Sequence, residues 1–96
     1  MLSNYVSETK TLLRQQISKE HDVEEKLLDL YTLLVLTLGE ECTLENVHDA
    51  WAVYTSNERP EHSSLIPFQD LKEEIQEYDR PFQEAIISTA ELLKLS

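Results

Sequence analysis

Hydrophobic residues recur three or four positions apart along most of the chain, which is the spacing of an amphipathic helix. The first run with this spacing predicts a helix from Asn4 to Lys19. Its apolar side chains are expected to share one face: Leu2, Tyr5, Val6, Leu12, Leu13 and Ile17.

A second helix is predicted to run to Leu38. Asp22 is a good N-cap for it, and Glu25 three residues later completes a capping-box pattern. The second half of this helix is apolar on nearly all sides, so we expect it at the centre of the fold or in an interface between copies. Gly39 stands where a left-handed C-cap is expected.

A third helix is predicted after the N-cap Thr43, and it should fray near Ser56-Asn57. Residues 56–64 are polar and show no period, so they are expected to form the main loop.

Two further helices are predicted in the C-terminal part. Pro67 is suited to open a short helix, because proline lacks the N–H that the first helical position leaves unused. Apolar side chains expected on one face of that helix are Phe68, Leu71 and Ile75. Asp79 as cap and Pro81 in the first turn mark the start of a last helix that runs to the end.

The pattern therefore indicates an all-α fold, a small bundle of about five helices. The single glycine argues against a β-rich fold, which needs many tight turns. A length of 96 residues predicts one domain over residues 1–96.

Composition narrows the classes of function. The chain has 19 acidic and 8 basic residues and a formal net charge of −11, which argues against generic binding to nucleic-acid backbones. The densest apolar stretch, Leu27 to Leu38, is far shorter than the roughly 20 residues that span a bilayer. With no signal-peptide pattern at the N-terminus and one cysteine, we expect a cytoplasmic protein that does not bind membranes.

Catalytic and metal-binding signatures are missing from the sequence. One glycine is too few for a glycine-rich phosphate loop, and no spacing pairs Cys42 with a base. No two of the three histidines have the i, i+4 spacing of a helical zinc site. We therefore expect a protein that is not an enzyme and that holds no metal or cofactor.

One group of residues suggests a binding site. A histidine and a tryptophan three residues apart share a helix face, so their rings can be neighbours. A site for an aromatic, anionic ligand would use Trp51 and Tyr54 for stacking and His48 and His62 for polar contacts. Two arginines complete the hypothesis: Arg80 would hold a phosphate beside a helix start, and Arg59 would form a lid.

A purely structural interpretation of the same residues stays open. Trp51 is then the largest core residue, and both histidines hold the loop by hydrogen bonds to the backbone. In that interpretation Asp79-Arg80-Pro81 is only a helix cap.

The segments HDAW (48–51), HSSLIPF (62–68) and DRPF (79–82) together resemble the ryanodine-receptor repeat, or RyR domain. The likeness covers about residues 30–90 and extends to short bacterial and phage proteins that share these segments. It implies a helical module that binds or senses a ligand without catalysis. It also implies a phage or prophage role, the sequestration of a nucleotide-derived immune signal of the cyclic-nucleotide or ADP-ribose type.

Two functions thus follow from the sequence. The first is a small-molecule binding protein for a nucleotide-like ligand. The alternative is an acidic helical module that binds another protein. In either case we expect a homo-oligomer, because a chain this short buries only about two thirds of its unfolded surface.

Overall fold

The computed structural model describes residues 4–95, which form five α-helices and three 3-10 turns without a strand. The all-α prediction is confirmed. Residues 1–3 and 96, including the predicted core position Leu2, lie outside the described part. The α-helices are α1 (Tyr5–Gln16), α2 (Glu25–Thr37), α3 (Leu44–Glu58), α4 (Glu73–Gln76) and α5 (Arg80–Lys94). The 3-10 turns are Gly39–Glu41, Phe68–Asp70 and Glu77–Asp79.

Helices α2 and α5 each pack against the other three long helices of the bundle. One fully buried side chain from each of the four long helices meets in the core: Leu13, Leu28, Val47 and Ile86. The single-turn helix α4 lies beside α3 and leads into α5. Within residues 4–95, no helix is long and apolar enough to cross a membrane.

Three of the predicted helix boundaries are confirmed: Gly39 after α2, Thr43 before α3, and Asp79 with Pro81 at the start of α5. Gly39 has a φ of +58°, the left-handed conformation that ends α2 at little cost because glycine has no Cβ. The Thr43 side chain accepts a hydrogen bond from the Asn46 backbone N–H at 3.1 Å. The Asn46 side chain in turn accepts from the Thr43 N–H at 2.9 Å, so α3 begins with a complete capping box.

The boundary between α1 and α2 differs from the prediction. Helix α1 ends at Gln16 rather than Lys19, because Ile17 turns to an extended conformation and packs against the core. Helix α2 begins at Glu25, so Asp22 is not its N-cap. Val23 is buried in the core, which holds this segment extended and leaves the Asp22 side chain free of the helix start.

The helix predicted from Pro67 is also wrong as a single unit. A 3-10 turn ends at Asp70, Leu71 takes an extended conformation, and α4 starts only at Glu73. Leu71 is buried by this break. The Phe68 carbonyl accepts from the Leu71 backbone N–H at 3.0 Å and also from the Gln76 side-chain amide at 2.9 Å, which ties α4 to the turn before it.

The outer side of α2 carries two exposed leucines. Leu33 is 52% exposed and Leu36 38% exposed, on the side that faces away from the core. We expect self-association through this side at about 50 μM, measured by light scattering, because burying leucine side chains is favourable. Leu33→Glu should shift the population towards monomer, whereas the matched added charge in Thr11→Glu on α1 should not. A strict monomer at this concentration would contradict the prediction.

Thr55 on α3 is a buried polar residue without compensation. Its Oγ1 has no hydrogen-bond partner among residues 4–95, whereas the equally buried Thr32 donates to the Leu28 carbonyl at 2.8 Å. We expect Thr55→Val to raise the free energy of unfolding by about 1 kcal/mol, because it removes an unsatisfied hydroxyl and keeps the branched shape. Thr32→Val, the control, should give no gain in urea unfolding. A loss of stability in Thr55→Val would show that its hydroxyl does find a partner.

Candidate functional site

A cavity of about 430 Å³ opens between α2, α3, the loop after α3 and the start of α5. This volume falls within the roughly 300–1,000 Å³ that is usual for small-molecule sites. Its lining combines aromatic rings with a few polar groups, and the residues that matter most are Tyr31, His48, Trp51, Arg59, His62 and Asp79.

Helix α3 supplies the first wall of the cavity. The rings of His48 and Trp51 lie 5.6 Å apart and are inclined by 26°, the stacked arrangement that their i, i+3 spacing allows. His48 is only 3% exposed, and its Nε2 donates to the Ile66 carbonyl at 2.8 Å. That bond fastens the loop after α3 onto the helix across 18 residues of chain.

His62 forms the second wall, from within the loop. Its ring meets Trp51 edge to face at 5.1 Å. The His62 Nδ1 accepts a hydrogen bond from the Ser64 backbone N–H at 3.0 Å, so the proton of the neutral ring is on Nε2. Because His48 donates its Nε2 proton to a carbonyl, the unprotonated nitrogen of its neutral ring is Nδ1. The two imidazoles therefore offer one hydrogen-bond donor and one acceptor.

The third wall comes from α2 and α5. The Tyr31 and Phe82 rings stack with centroids 5.5 Å apart. The His21 ring meets the Phe82 ring edge to face at 5.2 Å. Burial raises the pKa of the Tyr31 hydroxyl, and the nearby Asp79 carboxylate raises it further. Tyr31 is thus a neutral phenol at physiological pH.

Asp79 brings a carboxylate to the same cavity. It occupies the N-cap position of α5, yet its side chain makes no capping hydrogen bond. The group is half-buried, and burial raises its pKa to about 6, although the neighbouring His48 opposes that shift. A half-buried carboxylate without a bonded partner is destabilising, which is common where a ligand is bound.

The structure brings four of the six sequence-predicted site residues to this cavity: His48, Trp51, Arg59 and His62. Arg59 is exposed at the end of α3, and its side chain forms no ion pair with any residue from 4 to 95. The Arg59 guanidinium at the rim of the cavity is therefore not neutralised by an acidic side chain among residues 4–95.

Tyr54 and Arg80 do not reach this cavity. The Tyr54 hydroxyl donates to the Glu24 carboxylate, which ties α3 to the start of α2. The Arg80 guanidinium donates to Glu77 at 2.7 Å and 3.3 Å and to Gln83 at 3.2 Å. Arg80 is thus engaged by its own helix and the turn before it, and the structure gives it no contact with the other predicted residues.

The lining residues that sequence reasoning did not select include Asp22, Tyr31, Asp79 and Phe82. Asp22 and Asp79 have the sequence signature of N-caps, and only the absence of a capping bond in the structure frees them for another role. Tyr31 and Phe82 follow the apolar spacing of their helices, so nothing in the sequence separates them from core residues.

Other parts of the molecule offer less chemistry. A cavity of about 570 Å³ lies between α1 and residues 17–23, and its side chains include no phenylalanine, tyrosine or tryptophan. Cys42 is buried, and burial raises the pKa of its thiol to about 11, so the reactive thiolate is scarce at neutral pH. Residues 4–95 contain no cluster of three or more histidine, cysteine or acidic side chains arranged to hold a metal ion.

Comparison with protein families gives one match. The sequence model described as "Domain of unknown function (DUF7701)" matches residues 4–91, so the chain belongs to that family. No curated protein and no solved structure matches the chain. The match spans all five helices except the last turn of α5, so the cavity lies within the family's own domain.

Proposed function

We propose that this member of the DUF7701 family is a non-enzymatic binding protein for a nucleotide-like small molecule. The observation that carries the proposal is a single cavity of about 430 Å³ that combines Trp51, two imidazoles, an unbonded carboxylate and an unpaired arginine. Flat aromatic ligands stack on such rings, and the polar groups fix their orientation.

The distribution of charge favours a ligand whose aromatic part enters and whose anionic part stays at the rim. Buried Tyr31 is neutral and half-buried Asp79 is acidic, while exposed Arg59 supplies a positive charge. A phosphate at the rim would gain a charge-assisted hydrogen bond without entering a region that repels it. Arg59 takes the phosphate-binding role that the sequence hypothesis gave to Arg80.

Sequestration is the biological role that we attach to this proposal. Binding without chemical conversion fits this site. The Cys42 thiol lies outside the cavity and is scarcely ionised at neutral pH, and residues 4–95 contain no cluster of side chains arranged to hold a metal ion. The resemblance to RyR domains adds a nucleotide-derived immune signal, of the cyclic-nucleotide or ADP-ribose type, as the natural ligand. That addition stays a prediction from the sequence.

The test begins with the ligand itself. Purified protein is incubated with cell extract, washed and heat-denatured, and the released small molecules are identified by mass spectrometry. We expect a nucleotide. Titration of that nucleotide should quench the fluorescence of Trp51, the only tryptophan of the chain, since the ligand stacks on it. Unchanged emission with a bound nucleotide would place the site elsewhere.

The two arginines supply a matched pair of variants. Arg59→Ala should weaken binding by about 1.5–3 kcal/mol, the value of a charge-assisted hydrogen bond, as measured by calorimetry. Arg80→Ala removes the same charge outside the cavity and should leave the affinity unchanged. The opposite result would favour the original sequence hypothesis for Arg80.

A further inference from the structure

Two acidic residues, Asp22 and Asp79, line the cavity, and Asp79 is the half-buried one, whereas Asp22 is exposed. Within residues 4–95 the Asp79 carboxylate makes no hydrogen bond and no ion pair, not even with Arg59 of the same cavity. Its two oxygens therefore offer unused acceptor positions to whatever occupies the cavity.

We propose that these two oxygens bind a pair of adjacent N–H donors on a flat heterocycle, and that the ligand is thus a guanine-type nucleotide rather than an adenine-type one. The inference rests on the proposed function and narrows the ligand class of that same site, because it selects a guanine-containing cyclic nucleotide over an ADP-ribose-type signal. Guanine presents a ring N–H beside an exocyclic amino group, and a carboxylate accepts from both at once. Two parallel charge-assisted bonds are both strong and selective.

The protonation state of Asp79 supports the preference. Its pKa of about 6 leaves most of the carboxyl ionised at pH 7.5. An ionised carboxylate is only an acceptor. The edge of adenine alternates a donor with an acceptor, so it makes one good contact with the carboxylate and sets its ring nitrogen against the second oxygen.

Calorimetric titration with three purine nucleotides at pH 7.5 tests this inference. Guanosine monophosphate should bind at least about tenfold more tightly than inosine monophosphate, which lacks only the exocyclic amino group. It should also bind at least about tenfold more tightly than adenosine monophosphate. Equal binding of the adenine and guanine nucleotides would overturn the inference and leave the proposed function standing. Failure of all three nucleotides to bind would overturn the inference, and the proposed function would fall with it only if the cell-extract experiment also released no nucleotide.

A substitution at the same atom gives the sharper result. Asp79→Asn replaces two acceptors with one donor and one acceptor, which matches the edge of adenine. We expect the order of affinity to reverse, with guanosine monophosphate weakened at least about tenfold and adenosine monophosphate strengthened. Asp49→Asn on the exposed side of α3 removes the same charge and should change neither affinity. An Asp79→Asn protein that is folded and keeps the guanine preference would refute the assignment.

Discussion

Replacing His48 with alanine is expected to lower the free energy of unfolding by about 3–4 kcal/mol. The His48 ring is 3% exposed and stacks on Trp51, so its removal leaves a cavity in a packed region. The substitution also removes the hydrogen bond to the Ile66 carbonyl, which ties the loop to α3. Urea unfolding followed by circular dichroism measures the loss.

His21→Ala is the matched control for this prediction. The His21 ring is half-buried and meets Phe82 edge to face, and no hydrogen bond from it to the loop is present among residues 4–95. We expect His21→Ala to lower the free energy of unfolding by only about 1 kcal/mol. A His48→Ala protein no less stable than His21→Ala would mean that the loop is held by other contacts.

Replacing Asp79 with asparagine is expected to stabilise the protein by about 1–2 kcal/mol at pH 7.5. Burial raises the pKa of this carboxyl from 3.8 to about 6, so ionising it is harder in the folded state than in the unfolded chain. Partial exposure of the side chain reduces the effect below the full value of that shift. The gain should raise the melting temperature by roughly 4–8 °C per kcal/mol in a domain of this size.

The sign of the pH dependence follows from the raised pKa. Between pH 3.8 and about 6 the Asp79 carboxyl binds more protons in the folded state than in the unfolded chain, so its contribution to wild-type stability falls as the pH rises through that range. The gain in stability of Asp79→Asn over wild type should therefore be absent below pH 4, grow between about pH 4 and 6, and stay constant above about pH 6. Other titratable or charged groups of the cavity are Asp22, Tyr31, His48, Arg59, His62 and Tyr78.

Melting curves of wild type and variant from pH 3.5 to 8 measure this difference. Asp49→Asn, which alters an exposed aspartate, should show no gain that develops over the same interval. If Asp79→Asn were less stable at pH 7.5, Asp79 would be a stabilising cap and not an unbonded group of the cavity. The expected gain has a functional meaning, because a residue that reduces stability is typical of a binding site.

The sequence by itself determined the four long helices and three of their boundaries. Spacing of three or four residues places apolar side chains on one side of each helix, and this holds for the four long helices. Gly39 and Thr43 act through backbone conformation and a hydrogen bond to a residue three positions away. The contact between the rings of His48 and Trp51 is also a local effect, since one turn of helix brings the two residues together. All of these effects are local, so the order of residues suffices.

The tertiary structure decided what the cavity contains. Asp22 and Asp79 have the pattern of helix caps, but burial of Val23 and the 3-10 turn before α5 alter the backbone at both sites. The predicted helix is interrupted at Leu71, which has an extended backbone and a buried side chain. Arg80 pairs with Glu77 only three residues away, whereas Arg59 lies at the cavity because distant segments pack around the end of α3. Such choices depend on contacts between residues far apart in the chain, and these do not leave a periodic signal in the sequence.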